Sequence, residues 1–506
     1  MKYLIFLIIL FSFGIVQAQR HDNIWIFGYN SKDTIPGIEG SICAFDQNPG
    51  VFFYQPIGLN LHVSSTNIAD SSGQLLFYTN GCAIANAQHE IMENGDGLNP
   101  GTIHDNYCDY GYIAGPQSAL ILPKPGDPSL FYIFHKRIIT ITDPVLDVVS
   151  DLTYYSLVDI SINNGLGAVI AKNQSLIDEP TTYGELTAVK QGNGQDWWIL
   201  TGGDQNNSYF RIALTSEGVQ GPFIQNIGTP ASLEGSGGGQ AVFSPDGTMY
   251  VRYSAADGVY LFDFEREQGL LSNFRHIAIG DSVISGGVAI SPNSRYLYVS
   301  STFWVYQYDL WASDIAATKD TVAVYDGFSA PFATTFYNAQ LAPDCKIYLN
   351  SQNTVRYLHV INRPDEAGEA CDFQQHSVPL PFNHRRSLPN FPNYRLGPLI
   401  PGEKPPPLCE LIVDTQSPQP AAEGKKAWVF PNPATDYLKV VFERPHPKNG
   451  LAILYNSLGQ IVSTYDLSPM EREHRLELIS VAPGLYFVVL YIGHIPVFNS
   501  KIVVNR

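Results

Sequence analysis

Charge is scarce in this 506-residue chain: Asp, Glu, Lys and Arg together make up 15% of it, against about 25% in an average soluble protein. Basic residues are the scarcer sign, 30 against 47 acidic ones, for a formal net charge of −17. Neutralising phosphates needs a basic face, so this balance excludes a general nucleic-acid binder. Beyond the first 18 residues no apolar run approaches the roughly 20 residues that span a bilayer. There is no CxxC pair and no His–Cys cluster with zinc-ligand spacing. Catalytic signatures are missing too. The run Gly235-Ser-Gly-Gly-Gly239 lacks nucleophile-elbow spacing and reads as a loop entering a strand. No His-Glu-x-x-His helix occurs, and neither Gly202-Gly203 nor Gly237 to Gly239 forms a phosphate-binding loop.

What is present points to a large all-β protein. The chain is 44% apolar and 12% aromatic, which argues against disorder. Its 43 Gly and 35 Pro are spread along the chain, a pattern that suits many short strands joined by tight turns. The first 18 residues read as a signal peptide: Lys2, an apolar stretch from Leu4 to Val16, and Val16-Gln17-Ala18 before a cleavage point at Ala18–Gln19. An uncleaved anchor would need a longer apolar run. No cysteine precedes Cys43, so the mature N-terminus has no lipid attachment site. All six cysteines lie in the exported part, where disulfides persist. Cys82 with Cys108 and Cys345 with Cys371 are the nearest pairs, each 26 positions apart, which leaves Cys43 and Cys409. Fifteen full pairings are open on sequence alone.

Between residues 24 and 400 one unit recurs. Its clearest copies are Gln240-Ala-Val-Phe-Ser-Pro-Asp-Gly-Thr-Met-Tyr-Val251, Gly287-Val-Ala-Ile-Ser-Pro-Asn-Ser-Arg-Tyr-Leu-Tyr-Val299 and Asn338-Ala-Gln-Leu-Ala-Pro-Asp-Cys-Lys-Ile-Tyr-Leu349. Each is a strand, a polar turn and a second, aromatic strand. Phe27, Phe77, Phe131, Trp198, Tyr250, Tyr298 and Tyr348 mark the series at steps of 48 to 67 residues. About seven WD-like copies predict a β-propeller of about seven blades over residues 19–400, with four strands per blade. The strand Ile24-Trp-Ile-Phe27 and the segment Leu388-Pro-Asn-Phe391 are expected to complete one shared blade, with a Cys43–Cys409 bridge to reinforce it. A Pro-rich linker follows at 401–426. Residues 427–506 form a separate small β-sandwich.

That last unit carries Val429-Phe-Pro-Asn-Pro-Ala-Thr-Asp-Tyr-Leu-Lys-Val440, Leu454-Tyr-Asn-Ser-Leu-Gly-Gln-Ile-Val462, Gly484-Leu-Tyr-Phe-Val-Val-Leu490 and a terminal Lys501-Ile-Val-Val504. The ordered set resembles the type A C-terminal sorting domain of the type IX secretion system of Bacteroidetes-type bacteria. The matching positions are Pro431, Asn432, Pro433, Gly459, Gly484, Leu485, Tyr486 and Lys501. The resemblance implies passage through the periplasm and an outer-membrane translocon with its sorting machinery as partner, removal of the domain, and release or attachment at the outer cell surface. The body is similar to a group of uncharacterised propeller-like proteins bearing such domains. The residues behind this are Trp25-Ile-Phe-Gly28, Asn94-Gly-Asp-Gly-Leu-Asn99, Leu152-Thr-Tyr-Tyr155 with Asn164-Gly-Leu-Gly167, and Asp196-Trp-Trp198. It implies a fold and a route, with no defined activity.

The candidate ligand-binding residues are Gln117, Glu185, Gln240 and Gln340, which stand next to inner strands where a channel mouth would be. His89, His104, His135, Asp105 and Asp109 fall in or near one long segment and could meet in a site. No cofactor is expected. Asn94 to Asn99 has the Asp, Asn and Gly content of a calcium loop, although it offers one carboxylate where such loops offer several, so a structural calcium is open there. A plain turn is the simpler reading. Trp197 and Trp198 alternate faces of a strand, so at most one is exposed. The first expectation is a non-catalytic propeller that binds a glycan, peptide or envelope protein. A hydrolase or lyase with its site in the central channel is the alternative, and an adhesive role the third.

Overall fold

The computed structural model describes residues 19–402, apart from 31–38, 46–49, 113–114, 143–146, 233–238, 255 and 282–284. It also describes 427–505, apart from 432, 443–444, 447–448, 457–460, 480 and 493–494. The signal segment with Ala18, the linker with Cys409, and Asn432 and Gly459 of the sorting motif lie outside the described residues. Two compact units emerge, Met1–Asp414 and Thr415–Arg506.

The first unit is a β-propeller of seven antiparallel sheets taken in chain order. Its sheets begin at Ile24–Gly28, Thr66–Ala69, Ala119–Pro123, Thr187–Lys190, Gln240–Phe243, Gly286–Ile290 and Ala339–Leu341. The last five sheets have four strands each and the first two have three. The repeated unit forms for a local reason. In the fifth sheet, for example, the Ser244-Pro245-Asp246-Gly247 turn closes on itself as Asp246 Oδ1 accepts from Ser244 Oγ (2.6 Å) and Thr248 N (3.1 Å). That bond set fixes the register of Val242 opposite Val251 and Phe243 opposite Tyr250. The marker aromatics are buried, and so are Trp197 and Trp198, whose indole N–H of Trp198 donates to Arg266 O at 2.9 Å.

The two chain ends meet in the first blade without a strand ladder between them. Asn67 Nδ2 donates to Ile24 O, while Ser65 Oγ donates to Ile26 O. Ile24–Gly28 therefore runs antiparallel to the neighbouring inner strand Thr66–Ala69. Inner strands of adjacent blades run the same way, so Ile24–Gly28 occupies the second-strand position of its sheet and the innermost place is left to another segment. Residues 387–396 take it without forming a strand. Phe391 packs against Trp25 (ring centroids 6.2 Å) and His384 against Phe27 (5.7 Å), but no ladder joins them to Ile24–Gly28. Pro389 and Pro392 each remove a donor that a ladder would need. The outer strand Phe373–His384 of the last sheet packs on the first sheet and completes the ring.

The second unit pairs a three-stranded sheet (Ala427–Phe430, Tyr437–Phe442, Glu473–Glu477) with a four-stranded one (Ile461–Leu467, Gly450–Asn456, Gly484–Ile492, Ile495–Val504). Leu438, Val440, Leu454, Val488, Leu490 and Ile502 alternate inward to one core. Gly484 pairs with Val504, Leu485 with Val503 and Lys501 with Phe487. Tyr486 donates its hydroxyl to Ala482 O at 2.8 Å. Ala434, just past Pro433, donates its N–H to Val503 O (2.7 Å), so the Pro-rich turn is docked on the final strand.

Between described residues one cysteine pair is bridged, Cys82 with Cys108, at a Cα–Cα distance of 5.7 Å. The other two expected pairs do not form. Cys43 and Cys371 are buried free thiols, and Cys345 is engaged in a disulfide that cannot involve Cys371. Equal spacing in sequence misled here. Cys371 is enclosed beside Tyr298 and Phe373, whereas Cys345 sits at the turn that begins at Ala342. Cys43 lies in the core beside Trp25 and Phe45.

Candidate functional site

The four candidate residues do stand at the start of inner strands, but three of them are committed to holding the ring. Gln117 Nε2 donates to Ala241 O (2.8 Å) and its Oε1 accepts from Ala241 N (2.7 Å), a two-point clamp from the third sheet to the fifth. Gln240 repeats the device one step on: Nε2 donates to Ala339 O (2.7 Å), and Oε1 accepts from Ala339 N and Val288 N (both 3.1 Å). The small residues at 241 and 339 let each amide reach backbone. Gly287 serves the same end, since a Cβ there would lie 2.4 Å from Gln240 Oε1. Gln340 alone is half-buried, with Nε2 bonded only to Leu341 O (3.1 Å).

Glu185 is fully buried, with Oε2 2.5 Å from Arg252 Nε. Burial alone would lower the pKa of Arg252, but the carboxylate of Glu185 overrides it and raises it. Lys136 completes the cluster. Its Nζ donates to Thr182 O (2.5 Å), Thr201 Oγ1 (2.7 Å) and Gly184 O (2.8 Å). Burial draws its pKa down to about 7, with Glu185 pulling the other way. The three charges come from three sheets and tie them together, and all three are buried.

The histidines likewise stay apart. His135 is fully buried between Asn99 Oδ1 (2.8 Å) and Ser156 Oγ (2.9 Å), and burial holds its pKa down at about 3. His89 lies against Gln55 Nε2 (2.7 Å) and Tyr78 OH (3.2 Å). His104 contacts Asp105 at 3.1 Å on the surface, and Asp109 offers its backbone oxygen to Asn60. Among the described residues no group of three or more His, Cys, Asp or Glu side chains could hold a metal ion. The loop from Asn94 to Asn99 turns its oxygens on a protein cation instead: Lys172 Nζ donates to Asp96 O (2.9 Å), Asn94 Oδ1 (3.0 Å) and Asn94 O (3.2 Å). With one carboxylate and an ammonium in its centre, this donor set does not fit calcium.

The channel itself is filled by residues 387–396. Asn390 is the keystone: its N–H donates to Ser65 O (3.0 Å), and its Nδ2 to Leu186 O (2.8 Å) and Ala119 O (2.9 Å). Its Oδ1 accepts from Gln117 Nε2 at 3.2 Å. Further on, Tyr394 OH donates to Ile121 O (2.7 Å), and Arg395 holds Asp22 by two bonds (2.7 and 2.5 Å). The segment leaves beside Gly192, where Leu399 N donates to Gly192 O. At this exit end remains a cleft of about 70 Å³ lined in part by Phe243, Gln340, Leu341, Asn393 and Arg395. It has room for a few waters, far below the size of pockets that enclose small-molecule ligands.

At the entry end the situation is different. Arg385 and Arg386 are half-buried, and among the described residues neither guanidinium has a carboxylate partner. Beside them, His62 stacks on Tyr29 (ring centroids 4.9 Å, planes at 10°). Burial and the two arginines lower the pKa of His62 to about 4, so it is neutral. Arg386 also acts on Tyr183 and Tyr337, which stand before the inner strands of the fourth and seventh sheets. Sequence reading missed this mouth, although an Arg doublet in a segment that carries nearly all the negative charge was a signal.

Residues 428–505 match the family described as secretion system C-terminal sorting domain. The chain is thereby exported, to be attached at the cell surface or secreted, and is handled by the type IX secretion machinery. Among the described residues no helix is long and apolar enough to cross a membrane. No curated protein matches the chain. Among solved structures, the body is similar to a protein from Lactobacillus plantarum at 12% identity and a TM-score of 0.43, covering 71% of this chain and 97% of that one. A provisionally assigned 6-phosphogluconolactonase from Bacteroides uniformis is similar at 11% identity and a TM-score of 0.42, covering 72% and 98%. A protein of unknown function from Desulfotomaculum acetoxidans follows at 13% identity and a TM-score of 0.38, covering 73% and 99%. These likenesses are of fold and carry nothing about activity.

Proposed function

We propose that the propeller is a non-catalytic binding module, carried to the cell surface or the medium by its sorting domain, which takes a glycan, peptide or envelope protein at the entry mouth of its channel. The observation that carries this reading is the division of polar groups between the two ends. Inside the ring the Glu185 carboxylate, the Lys136 ammonium and the His135 imidazole are buried and engaged with other protein groups, and residues 387–396 occupy the channel. At the entry mouth, by contrast, the guanidiniums of Arg385 and Arg386 stand without a carboxylate partner among the described residues, beside the stacked rings of His62 and Tyr29. A hydrolase or lyase would need a general acid or base in reach of a substrate, and the plugged channel speaks against its site lying there. The test is to incubate the purified mature chain with saccharide and peptide pools and to measure both retention and product by mass spectrometry. Retention without turnover is expected. Catalytic release of product would refute the reading.

A further inference from the structure

The geometry points to an oxyanion subsite at the entry mouth, Arg385 with Arg386, that recognises the carboxylate or sulfate of an acidic saccharide; this deepens the binding reading above and rests on it. The body's other arginines show what is unusual about this pair. Arg137, Arg252, Arg275, Arg295 and Arg395 each hold an Asp or Glu, and Arg211, Arg266 and Arg356 are instead bonded to backbone carbonyls. Arg385 and Arg386 hold none among the described residues, although residues 19–426 carry a formal charge of −19. Two unneutralised guanidiniums on a strongly acidic body mark a place where an anion from outside completes the balance. A planar guanidinium also matches a carboxylate or sulfate through parallel N–H bonds.

The backbone presents this pair rather than leaving it loose. Arg386 sits in the left-handed region (φ 53°), with its N–H on Ser351 O at 3.1 Å. The chain then turns into the buried plug at Ser387 and Leu388. Neutral His62 adds an imidazole whose Nδ1 is buried with no hydrogen-bond partner among the described residues. Tyr183 and Tyr337 lie within the field of Arg386, and among the described residues neither hydroxyl pairs with a carboxylate.

An aromatic shelf adjoins this anion site. The helix Thr102–Tyr107 and the turn Cys108–Tyr110 expose Tyr107 and Tyr110, the latter to 73%. The Cys82–Cys108 bridge and the Asn60 Nδ2 bond to Asp109 O (3.0 Å) pin the shelf down. Gly111, the next residue, is so close to His62 that a Cβ there would lie 2.6 Å from its ring. The shelf and the arginines therefore share His62 as a neighbour. A pyranose ring offers an apolar face to such a tyrosine and, when it bears a carboxylate or sulfate, an oxyanion to the guanidiniums. An acidic peptide supplies the anion but no rigid face for Tyr110.

The test titrates the full mature chain calorimetrically with a hexuronate oligosaccharide, a sulfated oligosaccharide, a neutral oligosaccharide of the same length, and a glutamate-rich peptide. Binding of either acidic saccharide is expected, at least about tenfold tighter than the neutral one, and weakening as salt rises from about 50 to about 300 mM. Whether the hexuronate or the sulfate binds tighter identifies the source of the oxyanion. The R385Q/R386Q variant should lose about tenfold or more at an unchanged melting temperature, and Tyr110→Ala, at an exposed position that cannot disturb the core, about threefold or more. The inference is overturned if no acidic saccharide binds, if the neutral one binds equally, if R385Q/R386Q keeps its affinity, or if the peptide binds at least as tightly. Turnover of a bound saccharide would sink the non-catalytic reading while leaving the subsite standing.

Discussion

Removing the Asn390 side chain should cost the propeller far more than the loss of one small amide normally does. The amide is buried, and Asn390→Ala strands the carbonyls of Ala119 and Leu186, which lose donors at 2.9 and 2.8 Å. Gln117 Nε2 keeps its bond to Ala241 O, so it adds little. Each stranded buried carbonyl costs about 1–3 kcal/mol, for about 4 kcal/mol in all. Asn390→Asp is nearly isosteric but turns a carboxylate oxygen toward the same two carbonyls, and should cost more than Ala. Asn393→Ala is the control: the residue is half-buried, and its amide donates to Pro245 O (2.8 Å) and accepts from Arg395 N (3.0 Å) where water can replace both, so about 1–2 kcal/mol is expected. Urea unfolding followed by tryptophan fluorescence suits the question, because Trp25 packs on Phe391 and Trp197 on Tyr394 (5.7 Å). The order Asp, then Ala, then the Asn393 control is the prediction. If Asn390→Ala unfolds within about 1 kcal/mol of the parent, or no more easily than Asn393→Ala, the segment is a passive filler and the keystone argument fails.

Stability should rise with pH from about 5 to about 9. His62, His135, His359 and His384 are held near pKa 3 to 4 by burial, so below 6.5 the unfolded chain binds protons that the folded chain refuses, at about 1.4 kcal/mol per pH unit for each. Lys136 and Lys190, lowered to about 7, extend the same sign upward, since above 7 the unfolded lysines stay protonated while the folded ones release; urea midpoints that are flat from pH 5 to 7 would contradict this. Cys82→Ser with Cys108→Ser opens a loop of 26 positions and should lower stability by about 3 kcal/mol, whereas Cys43 and Cys371 should resist alkylation until the chain is unfolded, as read by mass mapping. A chain ended after Pro407 keeps residues 387–396 and lacks the sorting domain, so it should accumulate in the periplasm; its appearance at the surface or in the medium would refute the sorting assignment.

The repeat was legible because strand, Pro-Asp turn and aromatic strand are local, and each copy closes its turn with its own side chains. The sorting domain was legible for the same reason. The plug was not. Leu388-Pro-Asn-Phe391 reads as a strand end, and only the polarity of Ile24–Gly28 shows that this segment stands inside the ring without pairing. The positions of Gln117 and Gln240 were read to the right end of the right strands, but position says nothing of whether an amide meets solvent or a neighbour's backbone 124 or 99 residues away. Glu185, Arg252 and Lys136 could not be joined from sequence, since their cluster exists only once three sheets have closed. Lys172 is a further case: the loop around Asp96 does attract a cation, and the fold supplies it from its own chain.

The course of residues 385–399 also fixes where mechanical load enters the body. The chain goes in beside the arginine pair and comes out beside Gly192, at the other end of the channel. In a molecule tethered by its C-terminal end, drag from the surrounding flow would pull on Leu399 and be taken up by its bond to Gly192, then by Arg266 on Gly397, the Arg395–Asp22 pair and Asn390, loaded in series across several blades.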